Sequence, residues 1–151
     1  MILITGATGN VGRDLIQLLL DIGQSVRALT RDPKRSGLPA GIDVRAADLS
    51  NPGSLSGVFD GVDKAFLLVH IPGDPAQAGN FLCGAKAGGV RHVVLLSSMS
   101  TERVIPGDAV GGGHRELERE VLASGIPATI LRPGTFDDPR AVQPRSPLGQ
   151  S

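Results

Sequence analysis

Tryptophan and tyrosine are absent from this chain, and phenylalanine occurs only 4 times. Without tyrosine no phenol can act as a general acid, and so few aromatics build no stacking platform for single-stranded nucleic acid. One cysteine, Cys83, excludes an intramolecular disulfide, a paired-cysteine redox motif and a cysteine-rich zinc site. A cytoplasmic, reducing compartment is the expectation, and no metal is expected. Charge of neither sign is in excess: 15 Lys and Arg face 15 Asp and Glu. No long-range field therefore marks a nucleic acid or an anionic membrane as partner. Long apolar runs are lacking too. The run at 1–4 stops at Thr5-Gly6, without the basic leader and apolar core of a signal peptide. The run at 65–69 is far too short to cross a bilayer.

What is present suffices for one folded domain. A chain of 151 residues, 40% hydrophobic against 20% charged, can build a core and is unlike a disordered polymer. The 21 Gly and 11 Pro imply many tight turns. Short apolar segments at 2–4, 25–29, 42–47, 62–69, 91–96 and 128–131 read as strands, each bounded by polar, Gly or Pro residues. Helical spacing joins Val11, Leu15, Leu18, Leu19 and Ile22, with Gly23 closing that helix. A brief helix follows Pro52, and longer ones are expected over about 75–87 and 113–123, the last carrying Leu117, Val121 and Leu122. Strands alternating with helices imply a doubly wound α/β domain: a parallel sheet of about six strands with helices on both faces. It is expected over 1–136. Residues 137–151, with prolines at 139, 144 and 147, show neither periodicity and read as an irregular tail.

The first strand runs directly into Gly6-Ala7-Thr8-Gly9-Asn10-Val11-Gly12 and then into a helix. That arrangement brings backbone N–H groups and a helix N-terminus to a phosphate. Gly6 suits the tight turn, Gly9 the close approach of a diphosphate, and Gly12 the packing of helix on strand. Thr8 and Asn10 can donate to phosphate oxygens, and Asn10 can also cap the helix. A nicotinamide dinucleotide is the expected ligand, against the bland alternative of a turn with an empty pocket.

The end of the second strand distinguishes the two dinucleotides. An acidic residue there suits the free ribose of NAD, and a basic one suits the 2′-phosphate of NADP. Arg31 occupies that place, with Lys34 and Arg35 behind it, so NADP is preferred; Asp32 keeps NAD open. Asp48 and Leu49 end the third strand, where the carboxylate can accept from an adenine amino group and the leucine can cover the ring. A plain turn aspartate serves the sequence equally well. Ser50 or Asn51 then caps the next helix, with Pro52 in its first turn, leaving Asp48 free. Val69 and His70 end the fourth strand and Ser97 the fifth, at the edge where such sheets hold ligands.

Residues 2–12, Arg27-Ala28-Leu29-Thr30-Arg31, Asp48-Leu49, Ser97-Ser98 and the run 124–136 together resemble the NmrA-like, atypical branch of the short-chain dehydrogenase/reductase superfamily. The match is ordered and spans about 1–136. The resemblance implies a Rossmann fold, NADP(H) held by the glycine loop and by the arginine after the second strand, and one of two roles. The first is an oxidoreductase that passes hydride to a small electrophilic acceptor, such as a quinone or an azo compound. The second is a non-catalytic, NADP-sensing interaction module.

Two departures from that pattern matter. Catalytic members of the superfamily use a Tyr and, four residues later, a Lys. Here Val110 falls in the tyrosine's place and His114, one helical turn before Glu118, in the lysine's. In quinone-reductase-like members of the branch a histidine there is familiar, and His114 is the candidate catalytic residue; pairing with Glu118 is its structural alternative. Family members also continue with elements that build a substrate pocket, whereas this chain has 15 residues after Phe136. The expectation is the cofactor half of a larger plan, truncated at its C-terminus or completed by a homodimer or protein partner.

Overall fold

The computed structural model describes residues 1–102 and 105–134. Segments of three to five residues make six strands: β1 Ile2–Ile4, β2 Val26–Thr30, β3 Asp43–Ala46, β4 Lys64–Leu67, β5 His92–Leu96 and β6 Ala128–Leu131. The helices among the described residues are α1 Asn10–Asp21, α2 Ala76–Ala87 and α3 Ala109–Ala123. The strands form one sheet in the order β3-β2-β1-β4-β5-β6, and every neighbouring pair is parallel. The order reverses between β1 and β4, which opens a crevice at their carboxyl ends.

Side chains alternate across the sheet, so β1, β2, β4 and β5 each feed two cores. Leu3, Ala65, Leu67, Val93 and Leu95 face α2 and α3, whose Phe81, Ala85, Leu117 and Val121 are buried against them. Ile4, Ala28 and Phe66 face the opposite way, onto Ile16 of α1. Helices thus cover both faces, as the alternating pattern implies. One charged side chain is built into this architecture. Arg27 of β2, 6% exposed, pairs with Asp43 of β3 at 2.8 Å and donates to the carbonyls of Val58 and Asp60 at 2.7 and 2.8 Å.

The strand ends depart from the sequence reading for a specific reason. The fourth strand was expected over 62–69, but the ladder spans only Lys64–Leu67. Val62 belongs to a turn, its N–H bonded to Phe59 O. Beyond Leu67 the backbone of β1 has turned away, and the hydroxyl of Thr5 takes over the pairing: it accepts from Leu68 N–H at 2.7 Å and donates to Leu68 O at 2.9 Å. The helix after Pro52 is a single 3₁₀ turn, Pro52–Leu55, capped by the side chain of Asn51. Helix α3 starts at Ala109, a full turn earlier than 113, because Asp108 Oδ1 accepts from the N–H groups of Val110 and Gly111. Glycines 111–113 carry no apolar periodicity by which that turn could be read. The proposed boundary at 136 and the tail 137–151 lie outside the described residues. No helix among the described residues is long and apolar enough to cross a membrane.

Candidate functional site

The chain leaves β1 through Thr5 and reverses at Gly6, whose φ of +63° lies in the left-handed region that glycine tolerates. Ala7 is buried, Thr8 and Gly9 are exposed, and α1 begins at Asn10 with Gly9 as its N-cap. No side chain caps this helix, so the expected capping role of Asn10 is not realised: Asn10 is the first helical residue. Its turn therefore presents backbone N–H groups that no side chain occupies, the arrangement that suits an anion. Gly12 fixes how closely the helix lies on the loop. A Cβ there would sit 2.2 Å from Gly6 O and 2.8 Å from Ala7 Cα.

Beside this loop, at the carboxyl ends of β1, β2, β3 and β4, lies a groove of about 550 Å³. It brings together Gly6, Thr8, Arg31, Asp48, Leu49 and His70, which the sequence distributes over more than sixty positions. Gly9, Asn10, Val11 and Gly12 do not line it; they form the adjoining turn into α1. Arg31 and Arg35 both reach the groove, and Lys34 does not. Asp32 lines it as well, but its Oδ1 accepts from the N–H groups of Lys34 and Arg35, capping the short 3₁₀ turn Pro33–Arg35. One carboxylate oxygen of Asp32 is thus engaged locally, and the other lies 3.8 Å from Arg35 Nε.

Asn51 performs the capping, which leaves Asp48 free of it, although one oxygen of Asp48, Oδ1, accepts from Ser50 N–H at 2.9 Å. Two residues of α2 steady this rim in a way that sequence spacing alone does not disclose. Asn80 donates to Leu49 O at 2.9 Å, and Gln77, which also lines the groove, donates to Ser50 Oγ at 3.0 Å. Val69 faces elsewhere, into a separate cavity of about 330 Å³ between the β4–α2 connection and α3.

Ser97 is 4% exposed and lies outside the groove, at the end of β5. Its hydroxyl donates to Glu118 Oε1 at 2.5 Å, and Arg132 grips the same carboxylate with Nε to Oε1 at 2.9 Å and Nη2 to Oε2 at 2.6 Å. Arg132, aided by Ser97, holds the Glu118 carboxyl below its ordinary range although burial works against it. No hydrogen bond joins Glu118 to His114 one turn before it among the described residues. Half-buried His114 is shifted below the usual histidine range by burial, which outweighs the pull of Glu118, so its neutral form is favoured. Its Nδ1 is buried with no hydrogen-bond partner among the described residues. Val110, in the tyrosine's place, is exposed at the start of the same helix. No cluster of metal-ligating side chains occurs among the described residues.

Comparison with known proteins places these features in a family. An NAD(P)H-binding family model matches residues 6–148. The (4-alkanoyl-5-oxo-2,5-dihydrofuran-3-yl)methyl phosphate reductase of Streptomyces griseus is 39% identical over 137 residues, covering 90% of this chain and 48% of that protein. The NAD(P)H azoreductase of Xenophilus azovorans is 32% identical, covering 90% of this chain and 48% of its own length. The crystal structure of an NADPH-dependent quinone oxidoreductase from Escherichia coli, complexed with NADPH, superposes with a TM-score of 0.77 at 33% identity, over 87% of this chain and 48% of that one. The chain thus spans about half the length of the relatives it matches.

Proposed function

The chain belongs to the NAD(P)H-binding family, and from that premise we propose that it supplies the dinucleotide site of a cytoplasmic, NADPH-preferring oxidoreductase acting on a small electrophilic acceptor of the quinone class. The observation that carries this reading is the convergence of Gly6, Thr8, Arg31, Asp48, Leu49 and His70 on one groove beside an uncapped helix N-terminus. The residues fit the cofactor. Gly6, Thr8, Gly9, Asn10, Val11 and Gly12 would hold the diphosphate, and the lack of a Cβ at Gly12 is what allows the helix start to lie against the loop. Arg31, joined by Arg35, would receive the 2′-phosphate; Asp48 and Leu49 would hold the adenine, and His70 would flank the ribose.

The bound dinucleotide supplies the hydride. The protein's own contribution is to hold and orient, since an electrophilic acceptor needs geometry more than acid catalysis. Val110 offers no proton where a tyrosine would, which argues against ordinary carbonyl reduction. His114, favoured as the neutral imidazole and with Nδ1 unpartnered among the described residues, can hydrogen-bond an acceptor or a water without adding a charge. Ser97, Glu118 and Arg132 keep its helix fixed on the sheet.

Thermal unfolding with NADPH, NADP⁺, NADH and NAD⁺ tests the cofactor reading. A ligand at 100 times its dissociation constant adds about 2.7 kcal/mol, and NADPH should stabilise more than NADH; no stabilisation by any of the four rejects the reading. Consumption of NADPH, followed by absorbance across a panel of quinones, tests turnover. Binding without consumption would instead support the sensing module.

A further inference from the structure

Arg13 follows the last glycine of the loop, and its guanidinium spans two segments that the chain does not otherwise join in sequence. Nε donates to Thr8 O at 3.0 Å, Nη1 to Gly37 O at 2.9 Å, and Nη2 to Ser36 O at 2.6 Å. Thr8 belongs to the glycine loop. Ser36 and Gly37 belong to the connection after β2, in which Arg31, Arg35 and Ser36 itself line the groove. The other hydrogen bonds of that connection are local: Asp32 caps Lys34 and Arg35, and Ser36 Oγ donates to Pro33 O at 2.8 Å. None of these reaches the glycine loop; the bonds of the guanidinium do.

We propose that Arg13 is a positioning residue for nucleotide selectivity, a strut that fixes the cationic connection at Arg31–Gly37 relative to the glycine loop and so holds Arg31 where a 2′-phosphate is received. The proposal rests on the groove being the dinucleotide site. Three donors in a rigid planar fork meet three carbonyls that diverge in space, and a lysine ammonium, one point at the end of a flexible stem, cannot satisfy all three. All three partners are neutral, so the strut also leaves one positive charge between the two loops without neutralising it. Loosening it should therefore harm the nucleotide that carries the extra phosphate more than the one that does not.

The test is calorimetric titration of NADPH and NADH into the wild-type chain, Arg13→Lys, Arg13→Gln, Arg31→Ala and the Arg13→Lys/Arg31→Ala double variant, with the unfolding temperature of each as control. Arg13→Lys is expected to weaken NADPH about tenfold and NADH less than about threefold. In the Arg31→Ala background the same change should cost NADPH less than about threefold, because the strut acts through Arg31. Arg13→Gln should lose selectivity as Arg13→Lys does. Equal weakening of both nucleotides, full additivity with Arg31→Ala, or selectivity kept by Arg13→Lys and lost only by Arg13→Gln would each overturn the strut. A wild-type chain that binds neither nucleotide overturns the reading of the groove and the strut with it; one that binds both but is indifferent to Arg13 overturns the strut alone.

Discussion

The hydroxyl of Ser97 donates a 2.5 Å hydrogen bond to Glu118, joining the end of β5 to the middle of α3. Arg132 completes the junction from the end of β6. Glu118 is 6% exposed, so removing its carboxylate leaves a buried hydroxyl and a half-exposed guanidinium without their acceptor. Glu118→Ala should cost about 2–3 kcal/mol and Ser97→Ala about 1 kcal/mol by urea unfolding. Equal, small effects would mean that the junction contributes little.

Acid should weaken the fold in two windows. His114 has a folded pKa below its ordinary 6.5, so the unfolded chain binds more protons there, and stability falls as pH drops below about 6.5. Glu118 lies below its ordinary 4.5; its contribution is complete above that value and is lost as pH falls through the folded pKa. Glu120, raised by burial and then by Glu116, acts in the opposite sense above pH 4.5. Unfolding free energies measured from pH 8 to 3 should show a shallower first decline in His114→Gln and a shallower second decline in Glu118→Gln. Unchanged slopes in both variants would contradict the assignments.

Two glycines of one loop should answer alanine differently. At Gly12 the added methyl meets backbone at 2.2 Å, whereas at Gly9 it lies 3.4 Å from Gly6 O. Gly12→Ala should cost more than about 3 kcal/mol or abolish soluble expression. Gly9→Ala should fold nearly normally and show its defect in nucleotide titration.

Arg31→Asp should lower NADPH affinity at least about tenfold while leaving NADH affinity unchanged or improved. Loss of both to the same degree would place the effect in folding rather than in phosphate recognition.

The sheet was legible because most of its strands are short, mainly apolar runs between punctuating residues, and the helices because of features such as the stripe from Val11 to Ile22. What escaped was structure carried by side chains reaching back to backbone. Thr5 substituting for a strand partner shortened β4, and Asp108 capping a glycine-rich turn lengthened α3. In the site, glycine spacing and Arg31 were readable because each acts locally in sequence. Gln77, Asn80 and Arg13 were not, since each reaches its carbonyl or hydroxyl across at least five and up to 31 positions.

Arg27 ties edge strand β3 and the Val58–Asp60 turn to β2 through a single guanidinium. An edge strand ordinarily frays alone, opening at low free energy while the centre of its sheet stays closed. Here opening β3 takes the Asp43 carboxylate away from a buried cation, so amide protons of Asp43–Ala46 should exchange with deuterium more slowly than those of an edge strand without such an anchor. The Asp48–Leu49 side of the groove, which hangs from the end of β3, then inherits the slow clock of the sheet's interior rather than the fast one of its margin.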